Sequence, residues 1–184
     1  MRSILTLLVI LFAADNLVTQ TEKPSRTNRE GTAEFTVSKA AHSAKLIFTS
    51  RIFVPSAHRI VRTKNCVTID GRKPIGTDCG VPGVEIASMR LFFDGEEIVI
   101  PKRLYSDCYE PPRFGEFKEG SKNNNVAIKF SDDLKAVFVF MAGSDGAGVY
   151  DAIWILRKDG RHSRFTNSGG DCRFLNFDCR PDMK

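Results

Sequence analysis

The run GSDGAGVYDAIWILRKDGRH, residues 143–162, gathers the residue types that most readily do chemistry. Glycines at 143, 146 and 148 flank Asp145, Asp151 follows, and the chain's one tryptophan, Trp154, lies just beyond. A phosphate-binding loop would need Gly-x4-Gly-Lys-Ser/Thr leading into a helix, so that curled backbone amides and a helix N-terminus meet the anion. Here no Lys-Ser/Thr pair follows, and VYDAIWIL reads as a strand. The same strand excludes a dinucleotide fingerprint. Asp145 and Asp151 could offer oxygens to calcium, but the spacing is not that of an EF-hand and two carboxylates are few. The segment reads first as a tight connection between antiparallel strands, with no metal site and no cofactor.

Hydrolytic motifs are also missing. Neither Gly-x-Ser-x-Gly nor His-Glu-x-x-His occurs, so neither a serine elbow nor a zinc helix is indicated. The histidines are His42, His58 and His162. A Cys–His pair would require Cys66 or Cys108 to be free and close to one of them in space. Asp78, Asp107, Glu110 and Asp145 stand beside glycine, proline or aromatic residues, where loops expose side chains. Two of them converging in a cleft could perform acid–base work. The more common role of such residues is turn hydrogen bonding. Tyr105, Tyr109 and Tyr150 lie in or beside the same loops. Tyrosine next to an acid suits contact with a protein, peptide or glycan, because it buries area and keeps a polar handle. These seven residues, Asp78, Tyr105, Asp107, Tyr109, Glu110, Asp145 and Tyr150, are the candidate binding set, and no catalytic residue is assigned.

Three stretches, TIDGRKPIGTDCGVPGVEIASM, IPKRLYSDCYEPP and MAGSDGAGVYDAIWILRKDG, resemble segments of exported bacterial proteins to which no function is assigned. The resemblance covers about residues 65–165. It implies an exported domain and carries no activity, ligand or catalytic residue.

The elements that must position these residues are strands. Of 184 residues, the first 20 read as a secretory signal: Arg2, then an apolar run of eleven from Ile4 to Ala14. That run is shorter than the roughly 20 residues a membrane-spanning helix needs, and cleavage is expected between residues 14 and 24. Loss of residues 1–20 removes Arg2 and Asp15 and leaves the net charge at +5. No stable membrane span is then expected, and the mild, mixed charge gives no footprint for nucleic acid. The densest basic stretches, RIVRTK at 59–64 and RKDGRHSR at 157–164, read as a solvated strand face and a hairpin tip. Residues 21–31 read as a flexible polar lead-in, and residues 32–184 as one β domain.

Within that domain TAEFTVS (32–38) alternates by twos, and AKLIFTSRIFVPS (44–56) is a long β-branched and aromatic run. VEIASMRLFFDGEEIVIP (84–101) predicts a hairpin turning at Asp94–Gly95, with Ala87, Met89, Leu91 and Phe93 on one face. A second hairpin is predicted over 123–143, turning at Ser131–Asp133; its AVFVFM strand is apolar on both faces and should be covered on both. A third turns at Lys158–Gly160. The one helix expected is PKRLYSDCYE (101–110), with Pro101 at its start. The pattern predicts an all-β fold, an antiparallel two-sheet sandwich in preference to a barrel.

Export turns the five cysteines toward disulfides. None of the spacings is CxxC, which excludes a zinc knuckle or a thioredoxin-type redox pair. Cys172–Cys179 is the expected local pair and Cys79–Cys108 the second, which leaves Cys66 as a buried free thiol. Three function classes follow: an exported non-enzymatic binding or structural module, an exported hydrolase using the loop carboxylates, and a secreted inhibitor presenting a disulfide-held loop.

Overall fold

A computed structural model describes residues 17–24 (as backbone), 30–112, 126–144 and 146–168. Asp145, Cys172 and Cys179 lie outside the described residues, as does the apolar run of the expected signal. Eleven strands occur among the described residues: β1 Leu17–Pro24, β2 Gly31–Lys39, β3 His42–Ile52, β4 Ile60–Arg62, β5 Val67–Ile69, β6 Val84–Phe93, β7 Glu96–Ile98, β8 Val126–Phe130, β9 Ala136–Gly143, β10 Tyr150–Arg157 and β11 Ser163–Ser168. They form a five-stranded sheet in the order β1-β2-β3-β6-β7, a four-stranded sheet in the order β11-β10-β9-β8, and a two-stranded flap of β4 and β5. Every strand pair is antiparallel. The fold is all-β and sandwich-like, and among the described residues the sheets close into no barrel.

Alternation builds the main core. Phe35 and Val37 of β2, Leu46 and Phe48 of β3, and Leu91 and Phe93 of β6 point inward from the large sheet; Ile128, Phe130, Val137, Val139, Trp154 and Leu156 meet them from the other. The Phe93 and Phe130 rings touch edge to face, 5.3 Å between centroids, which ties the two layers together. β9 lies inside its sheet and is buried on both faces, as its sequence requires: Val137 and Val139 face the main core, and Phe140 packs with Ile153 in a separate cluster.

Three expectations need correction. Residues 21–31 are not a free lead-in throughout, because β1 pairs with β2 from Leu17↔Ser38 to Pro24↔Gly31. Val18, Thr19 and Thr21 are β-branched, which suits an edge strand. The helix expected at 101–110 contracts to a single 3₁₀ turn, Lys102–Leu104. Beyond it the backbone groups a helix would use are held elsewhere. The Leu104 carbonyl accepts from Trp154 Nε1 at 2.7 Å, and Ile75 exchanges hydrogen bonds with Asp107 and Tyr109. Finally, Ala87 does not share the core face. A bulge opposite Thr49/Ser50 shifts the β3–β6 register, so that Ile86 joins Met89, Leu91 and Phe93 in the core. Its neighbour Glu85 therefore points to the opposite face, toward the flap.

Candidate functional site

The structure brings Asp107, Tyr109, Glu110 and Tyr150 near one another in the interior rather than around an open cleft. Tyr105, Tyr109 and Tyr150 are buried, so none offers a contact surface. Burial holds the Tyr150 hydroxyl well above its ordinary range and pushes Tyr105 up as well. Gly143 and Gly148 explain why this loop is glycine-rich. A Cβ at Gly143 would collide with the Tyr150 ring and the Glu110 carbonyl, and one at Gly148 with the Thr77 backbone. These glycines let the backbone pass close to Tyr150 and Glu110 at 143 and to Thr77 at 148. Asp151 is buried in β10, and among the described residues no group of three or more His, Cys, Asp or Glu could hold a metal ion.

The carboxylates expected in a cleft are engaged separately. Asp107 is buried and gripped by two arginines: Arg164 spans both carboxylate oxygens in a forked pair, with Nη2 at 3.0 Å from Oδ2, and Arg72 Nη2 lies 2.7 Å from the same oxygen. Arg164 also donates to the Leu104 carbonyl and to Cys108 Sγ, at 3.0 and 3.2 Å. Glu110 accepts the backbone amides of Gly83 and Val84. Asp78 is exposed beside Cys79.

The disulfide expected between Cys79 and Cys108 is not the one formed. Cys66 bonds Cys79, with their Cα atoms 4.4 Å apart, and Cys108 is a buried free thiol. The reason lies in strand pairing. Ile75 bridges Cys108 in parallel, and the Cys108 side chain enters the main core. Cys66, just before β5, is left next to Cys79. Burial pushes the Cys108 thiol up to about 12, so it is no nucleophile at neutral pH.

Two centres escaped the sequence reading, and both are built on Asp-Gly turns. Asp70–Gly71 and Asp94–Gly95 have positive φ at both residues: 52° and 80° in the first, 51° and 84° in the second. This is the two-residue geometry that Asp-Gly tolerates, and at 94–95 it was legible in advance. Each aspartate clamps a histidine from another part of the chain, His42 at the start of β3 and His58 just before β4. Asp94 Oδ2 lies 2.7 Å from His42 Nδ1, and its Oδ1 accepts the Ser43 amide at 2.9 Å. Asp70 Oδ2 lies 2.7 Å from His58 Nδ1, and its Oδ1 accepts the Arg59 amide at 2.9 Å. In both, the aspartate's own amide donates back to the carbonyl of the residue after the histidine. Backbone and histidine contacts hold both carboxyls below the usual range: His58 first for Asp70, the Ser43 amide first for Asp94.

The surroundings differ. His58 is nine-tenths buried, stacked on Phe53 at 4.5 Å, with Nε2 3.1 Å from Glu85 Oε2, within ion-pair reach though not aligned as a hydrogen bond. Both ring nitrogens face carboxylate oxygens, Nδ1 that of Asp70 and Nε2 that of Glu85. Arg51 Nε meets Glu85 on its outer side at 2.5 Å. His42 is 41% exposed at the turn end of the sandwich. There it borders an open cleft of about 410 Å³ between the β8–β9 and β10–β11 turns. Neither clamp could be read from spacing, because the partners stand 12 and 52 residues apart and meet only through strand pairing. The one available signal at the cleft was the basic stretch 157–164, which supplies one of its walls. Compared with known protein families, curated proteins and solved structures, the chain matches none.

Proposed function

We propose that the chain is an exported, non-catalytic module that acts by binding or by structure, toward a protein, peptide or glycan. The observation that carries this reading is the occupancy of the loop acids. Asp107 is neutralised by Arg72 and Arg164, and Glu110 is tied to two backbone amides. A general acid or base must be free to exchange a proton with a substrate within hydrogen-bond reach, and these two are not. That weighs against the hydrolase reading. The inhibitor reading also loses ground. The segment between Cys66 and Cys79 is pinned at Ile75 to Cys108 instead of protruding. Export is supported by the apolar N-terminal run, by the resemblance over residues 65–165 and by the Cys66–Cys79 disulfide. Among the described residues no helix is long and apolar enough to cross a membrane.

The test is turnover. Purified protein incubated with chromogenic esters, glycosides, peptides and phosphate esters should release product no faster than buffer. Release that disappears in Glu110→Gln or Asp78→Asn, in variants whose circular dichroism is unchanged, would replace this reading with the hydrolase.

A further inference from the structure

Four turns from the two sheets meet at one end of the sandwich: Ala40–Ala41 between β2 and β3, Asp94–Gly95 between β6 and β7, Ser131–Lys135 between β8 and β9, and Lys158–His162 between β10 and β11. They leave the cleft of about 410 Å³, inside the roughly 300–1,000 Å³ of small-molecule sites. Phe93 and Leu134 give it an apolar floor, and Lys158 Nζ stands 5.2 Å from the Phe93 ring centre.

Its charges are unequal in freedom. Asp159 accepts from the backbone and side chain of Arg161. Asp133 accepts from the Ser131 hydroxyl at 2.6 Å and the Lys135 amide at 3.1 Å. Asp94, at the rim, is taken by His42 and Ser43, with Lys158 Nζ at 4.0 Å. Asp133 and Asp159 are thus satisfied within their own turns, and Asp94 by the start of β3. Lys135 and Arg157 line the same cleft; each feels the acid of its own turn, Asp133 and Asp159 respectively, but among the described residues neither closes an ion pair. A guanidinium presents a planar fork and an ammonium a point charge, a pairing that suits one oxyanion.

We propose that this cleft binds a small ligand bearing a carboxylate or phosphate on an apolar ring or chain. Arg157 and Lys135 take the oxyanion, and Phe93 and Leu134 take the apolar body. This rests on the reading of the chain as a non-catalytic binding module and adds a small-molecule ligand to the partners proposed for it.

Phenyl phosphate and benzoate are the probes, with benzyl alcohol and benzylamine as neutral and cationic controls, each titrated into the isotopically labelled chain and followed by amide chemical shifts. Both anions, or one of them, should saturably shift the amides of His42, Lys135 and Lys158, and the anion that binds identifies the charged group. Arg157→Gln with Lys135→Gln should weaken that binding by about tenfold or more, the size expected for lost charge-assisted bonds. Added salt should weaken it in the wild type. No saturable shift with either anion, equal binding of benzyl alcohol, or anion binding indifferent to the double variant would each overturn the site. Phenol release from phenyl phosphate would instead overturn the non-catalytic reading. Absence of both binding and release would sink the ligand assignment while leaving that reading in place.

Discussion

Asp70 and Asp94 make the same turn, hold a histidine with one carboxylate oxygen and the following amide with the other, and return their own amide to that residue's carbonyl. What surrounds the two rings is different. His58 lies between Asp70 and Glu85 with Phe53 stacked on its face, whereas His42 meets Phe93 edge-on at 6.0 Å and opens to water. The buried clamp fastens the β4–β5 flap to the large sheet. The open one shapes the rim of a cleft. A local motif therefore fixes geometry alone, and burial plus a second carboxylate decide whether that geometry bears load or stands available to a ligand.

The strongest way to break this comparison is to remove each ring. His58→Ala uncovers Phe53 and removes the ring held between Asp70 and the buried Glu85, which keeps Arg51. The loss should be about 3 kcal/mol, at the low end for breaking a buried charge cluster. His42→Ala, at a half-exposed pair, should cost about 1 kcal/mol or less. Urea midpoints at unchanged slope measure both. Equal losses would mean that the two environments do not differ energetically.

Next in size is the disulfide that closes the flap. Cys66→Ser with Cys79→Ser frees a loop with a sequence separation of 13, which in the chain-entropy account lowers stability by about 2–3 kcal/mol. His58→Ala added to that pair should lose less than the sum of the two changes, since both fasten the same flap. Strict additivity in a double-mutant cycle would show that clamp and disulfide act on separate units.

The turns themselves should behave alike. Gly71 and Gly95 have φ of 80° and 84°, and a Cβ at either meets nothing within 4 Å. Gly71→Val and Gly95→Val should therefore each cost about 1–2 kcal/mol from backbone strain alone. A large difference between them would show that the two turns are not equivalent in solution.

The smallest expected effect is at acid pH. Asp70 and Asp94 are held below the ordinary carboxylate range, so the folded chain binds their protons less readily than the unfolded one. Their contribution is fully present above about pH 4, the unfolded carboxylate range, and is lost as pH falls through the lower folded values. Asp70→Asn and Asp94→Asn should each make stability less steeply dependent on pH below about 4. A melting profile whose acid limb is unchanged in both variants would remove the clamps from the account of acid unfolding.

What the sequence revealed was whatever is decided within a few residues. TAEFTVS alternates and becomes β2, Asp94–Gly95 turns the predicted hairpin, and AVFVFM is covered on both faces. Features set by distant partners stayed hidden. The helix pattern at 101–110 was real, but Trp154 and Ile75 claim the backbone groups it needs. Ala87 fits the core alternation until a bulge in the facing register displaces it. The tyrosines look like loop-edge contacts because their neighbours are polar, yet glycines at 76 and 143 let the chain close over Tyr150. Cysteine pairing followed the Ile75–Cys108 bridge, which no spacing encodes. The candidate site suffered most, because the cleft is assembled from four turns separated along the chain.

The clamps also bear on how the molecule ages. An Asp-Gly step is where a polypeptide most easily rearranges: the glycine nitrogen attacks the aspartate side-chain carbon and expels water to close a succinimide, which water then opens at the backbone carbonyl to leave isoaspartate. At Asp70 and Asp94 both carboxylate oxygens are held, one by a histidine and one by a backbone amide. The carbon between them is thereby kept from swinging onto the following nitrogen. Isoaspartate should accumulate at 70–71 and 94–95 far more slowly in the folded chain than in peptides of the same sequence, and removing either histidine should shorten the chemical lifetime of its own turn.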